Sequence, residues 1–137
     1  MTRHLVCRVG DLPPGSRKIV EIGQRTIGVF NVQGHFYGIL NRCPHRAAPL
    51  CQGLLTGLIT GPEPHRIAVE RDGEVLRCPW HGWEFDIKTG QSWCEPAKVR
   101  ARAYPTEIAD GAEVVKGPYV AETVPITVEE QYVVVEF

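Results

Sequence analysis

The sequence predicts an antiparallel all-β domain, and three observations carry that expectation. Short runs rich in β-branched and aromatic residues recur along the chain. Turn signals built on Gly, Pro and Asp separate them at close intervals. No segment sustains the 3.6-residue apolar period of an amphipathic helix, so helix should be scarce. The expected form is a small sandwich or partial barrel.

Taken in order, residues 4–9 read as a first strand. The cluster Gly10-Asp11-Leu12-Pro13-Pro14-Gly15 breaks any regular element. Residues 18–22 and 26–32 form two further strands, and after the turn at Gly34 residues 35–40 form a fourth. Residues 54–64, with Thr, Gly and Pro, read as a loop. Residues 66–71 and 74–77 flank Asp72-Gly73, and Asp-Gly between two such runs predicts a hairpin turn. Residues 83–87 alternate as a strand and 88–91 turn the chain back. Residues 95–97 form a loop, and strands follow at 99–104, 119–123 and 131–137, the last with a continuous apolar run, Tyr132-Val133-Val134-Val135.

At 137 residues the chain makes one domain with a single core. Fifteen Lys and Arg against sixteen Asp and Glu leave a formal charge of −1. That balance supports neither a nucleic-acid binder nor a disordered acidic tail. No apolar run approaches the length of a membrane span and no signal-peptide core is present, so a cytoplasmic location is expected. No Gly-rich phosphate loop or nucleophile elbow points to a nucleotide or hydrolase site.

Chemistry concentrates in two stretches, Cys43-Pro44-His45-Arg46 and Cys78-Pro79-Trp80-His81-Gly82-Trp83. Each offers one thiol and one imidazole, the donors that soft and borderline metals prefer, and the four close one first shell. Pro44 and Pro79 keep helix from propagating through the loops, and Gly82 lets the backbone turn after His81. Two fillings suit the set: zinc in a Cys₂His₂ tetrahedron, or a [2Fe–2S] cluster with two His on one iron. Zinc sites usually group Cys with Cys and His with His. Here each motif is mixed, which suits a binuclear centre served by both loops.

Cys-Pro-His-Arg followed by Cys-Pro-Trp-His-Gly-Trp-Glu-Phe-Asp closely resembles the cluster-binding motifs of the Rieske family. The resemblance covers both motifs and, more loosely, the strand pattern from about residue 4 to the end. It implies a Rieske-type all-β fold with a small cluster-binding subdomain at one tip. Residues 1–40 and 98–137 would supply the base strands and residues 41–97 the subdomain, with an extended hairpin near 66–77. It assigns Cys43 and Cys78 to the inner iron and His45 and His81 to the outer one, so that electrons pass on the His side. With both irons saturated, the implied chemistry is one-electron transfer without a catalytic residue.

The run Cys-Pro-His-Arg-Ala-Ala-Pro-Leu looks like that of ring-hydroxylating oxygenases, yet 137 residues leave no room for their mononuclear iron domain. The resemblance therefore implies a ferredoxin component, with a reductase as donor and an oxygenase or reductase as acceptor. The alternative is a small Rieske subunit or redox-sensing module of a larger reductase such as a nitrite reductase. High-potential members carry a disulfide between the ligand loops and Ser and Tyr hydroxyls near the sulfurs. The corresponding positions here are Trp80, Trp83 and Phe85, and Cys51 lacks a matching partner, which implies a low potential. The 32 residues between His45 and Cys78 exceed the usual family connection.

Other polar and aromatic residues take plainer readings. Cys7, Cys51 and Cys94 read as buried thiols, and His4, His35 and His65 as surface or hydrogen-bonded imidazoles. Trp80 and Trp83 are expected to shield the centre and pack its subdomain. Pro96 is the residue of a covering loop by resemblance. Arg42 and Arg46 read as solvated cations, with docking of an acidic partner as the second reading.

Overall fold

The structure, a computed structural model, describes residues 2–63, 66–80, 82–93, 99–120 and 126–137, and of 58–63 and 66–72 the backbone alone. His65, His81, Cys94, the 95–97 loop with Pro96, and most of the 119–123 strand lie outside the described residues. Among the described residues there are ten strands, one short α-helix and two 3-10 turns. The fold is all-β and mainly antiparallel, and no described helix is long and apolar enough to cross a membrane.

Strands β1 (Arg3–Arg8), β2 (Arg17–Ile22), β3 (Arg25–Val32) and β4 (His35–Leu40) fall where the β-branched runs place them. After them come β5 (Leu54–Glu63), β6 (Arg66–Arg77), β7 (Glu84–Asp86), β8 (Ala103–Tyr104), β9 (Thr106–Asp110) and β10 (Gln131–Glu136). Three sheets result, ordered β1-β10-β9, β2-β3-β4-β8 and β5-β6-β7. The apolar run of β10 is explained by its place: it is the central strand, paired on both edges. Tyr132 and Val134 join Leu5, Ala109 and Val114 in one buried cluster. Burial of the Leu and Val side chains among them contributes about 1.5–3 kcal/mol each.

The chain forms two compact units, Met1–Gly38 with Tyr104–Phe137, and Ile39–Ala103. It enters the second unit within β4 and leaves it within β8. Leu50, Val75, Leu76, Phe85 and Ile87 are buried in that second unit.

Four sequence expectations are corrected. The 54–64 loop is β5, a strand of ten residues. Its Thr, Gly and Pro argue against a strand locally, but the ladder with β6 shifts register between Thr56 and Leu58 and again between Thr60 and Glu63. Gly57 and the Gly61-Pro62 pair fall in those interruptions, where the backbone need not keep regular pairing.

The Asp72-Gly73 turn does not exist. Residues 66–77 are one strand, and the hairpin is β5 with β6. Between the pairs Thr56↔Val75 and Leu58↔Glu70, one residue of β5 faces four of β6, so Asp72-Gly73 lies in a bulge, with Gly73 at φ 77°. Asp-Gly serves a turn or a bulge equally well, since both use the left-handed region. Here Val75 to Arg77 pair with Leu54–Thr56 on one side and with Glu84–Asp86 on the other, and Ile87 donates to the Glu74 carbonyl.

The 99–104 strand shortens to Ala103–Tyr104, because Ala101 N–H donates to Gly90 while Arg102 C=O accepts from Leu40, which divides the segment between two neighbours. Finally, β9 and the helix α1 (Gly111–Lys116) were not anticipated. In β9 only Ala109 is buried, so no alternation shows, and a six-residue helix is too short to display a period.

Candidate metal centre

The two motif loops close in the same way. In the first, Cys43 N–H donates to Ala48 C=O at 2.8 Å and Ala47 N–H donates to Cys43 C=O at 2.7 Å. In the second, Cys78 N–H donates to Trp83 C=O at 2.7 Å and Gly82 N–H donates to Cys78 C=O at 3.1 Å. Each loop thus returns to its Cys through the residues four and five positions on. Each also needs a left-handed residue at the fourth: Ala47 has φ 60° and Gly82 has φ 71°. Gly82 was legible as a turn residue in the sequence. Its counterpart was not, because alanine carries no turn signal.

This geometry turns both thiols inward. Cys43 and Cys78 are 1% and 3% exposed, and their side chains are hydrogen-bonded to each other. Burial pushes the Cys43 thiol above the ordinary thiol value, and the neighbouring Cys78 adds to the rise. Backbone N–H groups of His45 and Arg46 aim at the Cys43 sulfur and act in the opposite direction. They are placed to stabilise a thiolate once a metal replaces the proton. His45 is half-buried and its imidazole stacks on Trp83.

Several residues outside the two motifs hold the loops: Asn41 and Gly53, which sequence reasoning passed over, and Cys51, the buried thiol it expected. Asn41 Oδ1 accepts from Cys51 N–H at 2.8 Å, which closes the first loop at its base. The Cys51 thiol is buried and donates to Ile39 C=O, as a structural cysteine. Gly53 packs on the residue before Cys78: a Cβ there would stand 1.9 Å from the Arg77 carbonyl oxygen. The first rung of the β5–β6 ladder, Leu54↔Arg77, follows at once. The long connection is therefore tied to both loops at its root.

Trp80 corrects an expectation. It is 60% exposed and packs no core, because the tight turn that points Cys78 inward sends Pro79 and Trp80 outward. Trp83 instead covers the imidazole of His45. Of the other imidazoles, His4 stacks on Phe137, and His35 is exposed. Neither joins the two loops. Among the described residues no group of three or more His, Cys, Asp or Glu is arranged to hold a single metal ion.

A paired-thiol pocket with amide donors, on two loops of one pattern, is the setting of an iron–sulfur centre. The comparisons agree. Residues 2–105 match the profile of the Rieske [2Fe-2S] domain, and the chain belongs to that family. The ferredoxin subunit of 3-phenylpropionate/cinnamic acid dioxygenase from Escherichia coli (strain K12) is 32% identical over 111 residues, covering 81% of this chain and 90% of the relative. Ferredoxin CarAc of Metapseudomonas resinovorans is 29% identical over 113 residues, covering 82% and 91%. Among solved structures, the Sphingomonas yanoikuyae B1 ferredoxin shares 28% identity with a TM-score of 0.57, over 77% of this chain and 89% of that one. A chain from the complex of reduced oxygenase and oxidized ferredoxin in carbazole 1,9a-dioxygenase shares 25% identity with a TM-score of 0.60, over 96% and 91%. The cofactor of the family is a [2Fe–2S] cluster, and the paired, buried thiols of Cys43 and Cys78 fit it.

Proposed function

We propose that this chain is the ferredoxin component of an oxygenase-type system, working in the cytoplasm between a reductase and an oxygenase. The observation that carries the reading is the convergence of two like-built loops on the hydrogen-bonded pair Cys43 and Cys78. Cys43 and Cys78 would hold one iron, His45 and His81 the other. A [2Fe–2S] cluster held by four protein donors has no open coordination position, so the chemistry it supplies is one-electron transfer. The ferredoxin relatives among the similar proteins support the assignment of role.

The protein's own residues set how that chemistry runs. The His45 and Arg46 amides donate to the Cys43 sulfur, and burial of both thiols keeps water from that side. Trp83 and Phe85, where high-potential relatives carry hydroxyl groups, offer no O–H, and Phe85 is fully buried. Donors that would stabilise added negative charge are fewer, which supports a potential near the low end of the roughly −150 to +300 mV range of such centres.

The test is direct. Purified protein should contain two irons and two acid-labile sulfides and show a rhombic paramagnetic signal only after reduction. Changing any one of Cys43, His45, Cys78 or His81 to Ala should remove that signal. One zinc and no sulfide would overturn the reading. Potentiometry should return a low value that rises in Phe85→Tyr if the new hydroxyl reaches a ligand sulfur.

A further inference from the structure

We propose that the face made by the two ligand loops docks an acidic protein surface, held by Arg42, Arg46 and Arg77 around the exposed indole of Trp80. The inference rests on the electron-carrier reading and names the chemistry of the partner at that same site.

Charge is distributed unevenly along the chain. Residues 41–50 and 77–83 contain three of the fifteen Lys and Arg and none of the sixteen Asp and Glu. The other 120 residues therefore hold twelve cations against sixteen anions, a formal charge of −4. The hydrogen bond between Cys43 and Cys78 brings these two stretches together, and each of the three arginines lies within three residues of one of those cysteines. Arg42, Arg46 and Arg77 are exposed, as are Pro44, Pro79 and Trp80.

The arginines are also uncommitted. Arg3, Arg8 and Lys88 spend their charge on Glu107, on Asp11 with Glu130, and on Glu74. None of the three loop arginines takes part in an ion pair among the described residues. Glu84 stands opposite Arg77 across β6 and β7, yet it is half-buried and unpaired with it. Instead the Arg77 side chain lies along the second loop: a Cβ on Gly82 would stand 3.2 Å from its Nε and 3.3 Å from its Nη2.

A cationic face on a net-negative body orients an acidic partner toward the loops and repels a basic one. Exposed Trp and Arg are the side chains that most often anchor protein interfaces, and Trp80 supplies the apolar centre. Electron transfer requires that the partner approach this face, so steering here acts on rate.

Stopped-flow oxidation of the reduced holoprotein by two proteins of opposite surface charge tests the idea: plastocyanin as the acidic acceptor and cytochrome c as the basic one. The rate to plastocyanin should fall about tenfold or more from low to high ionic strength, and the rate to cytochrome c should not. The triple variant R42Q/R46Q/R77Q should lose most of that salt dependence, with the low-salt rate dropping toward the high-salt one. If the triple variant does not assemble its centre, the three single variants should each remove part of the slope. Trp80→Ala should lower the rate at every salt concentration without changing the slope, and Lys116→Gln, an exposed cation far along the sequence, should change neither. A salt-independent rate to plastocyanin, or faster transfer to cytochrome c at low salt, overturns the docking surface alone. Salt-sensitive self-association on size exclusion would give the face to a second copy and overturn it too. Absence of the reduced-state paramagnetic signal from the same sample would instead overturn the electron-carrier reading beneath it.

Discussion

The imidazole of His45 lies nearly flat on the indole of Trp83, with ring centroids 4.3 Å apart and planes 15° apart. One residue comes from each motif loop, so the stack fixes a ring of the first loop with a ring of the second. Aromatic pairs of this kind contribute about 0.5–1.5 kcal/mol beyond area burial. Trp83→Ala should therefore speed loss of the centre to a chelator by up to about tenfold, while Trp83→Phe should keep most of the protection. Bleaching of the visible absorbance measures both. Equal rates in Trp83→Ala and the parent protein would show that the stack does not hold the site.

Gly53 sets the spacing between the two loops at their root. Its Cβ position collides with the Arg77 carbonyl at 1.9 Å, and backbone cannot swing aside as a side chain can. Gly53→Ala should cost about 1–3 kcal/mol, as overpacking does. The yield of iron per chain should fall with it. Gly10→Ala, where a Cβ meets nothing within 4 Å, is the control and should change neither quantity.

Equivalent turns at Ala47 and Gly82 make a paired test. A left-handed conformation costs a non-glycine residue roughly 1–2 kcal/mol, offset in part by the greater chain entropy of Gly. Ala47→Gly should be neutral or stabilising by less than about 1 kcal/mol in denaturant titration. Gly82→Ala should destabilise by at least that much, since the Arg77 guanidinium must also move.

The β5–β6 arm divides at its bulge. Rungs from Leu54↔Arg77 to Thr56↔Val75 belong to the sheet that carries Cys78, while those from Leu58↔Glu70 outward do not touch β7. Removing residues 58–70 and closing the chain with Asn-Gly should leave the visible circular dichroism unchanged. A lost or altered spectrum would make the outer arm part of the scaffold.

Cys7 gives a pH dependence. Burial, reinforced by Asp11 and opposed by Lys18, raises its thiol above the ordinary value. The native protein then holds this proton more tightly than the unfolded chain. Its contribution to stability is full below the unfolded thiol pKa and is lost as pH rises through the native one. Urea midpoints between pH 7 and pH 10.5 should fall more steeply for the parent than for Cys7→Ala, whatever the variant's overall loss.

Local pattern by itself determined much of this protein. The runs at 17–22, 25–32, 35–40 and 131–136 are strands because their side chains suit a pleated, half-buried surface. The two motifs announced which side chains are offered to a metal, since donor chemistry is a property of residue type. Tertiary structure decided what local preference leaves open. Asp72-Gly73 became a bulge because Val75 to Arg77 found partners on both edges, and pairing between distant segments outweighs a turn preference shared by both outcomes. β9 exists because the central strand β10 offers a free edge, although its own residues alternate weakly. Likewise the fates of Trp80 and Trp83, three residues apart and chemically identical, follow from loop closure alone. The turn that buries Cys78 leaves the first outside and brings the second over His45.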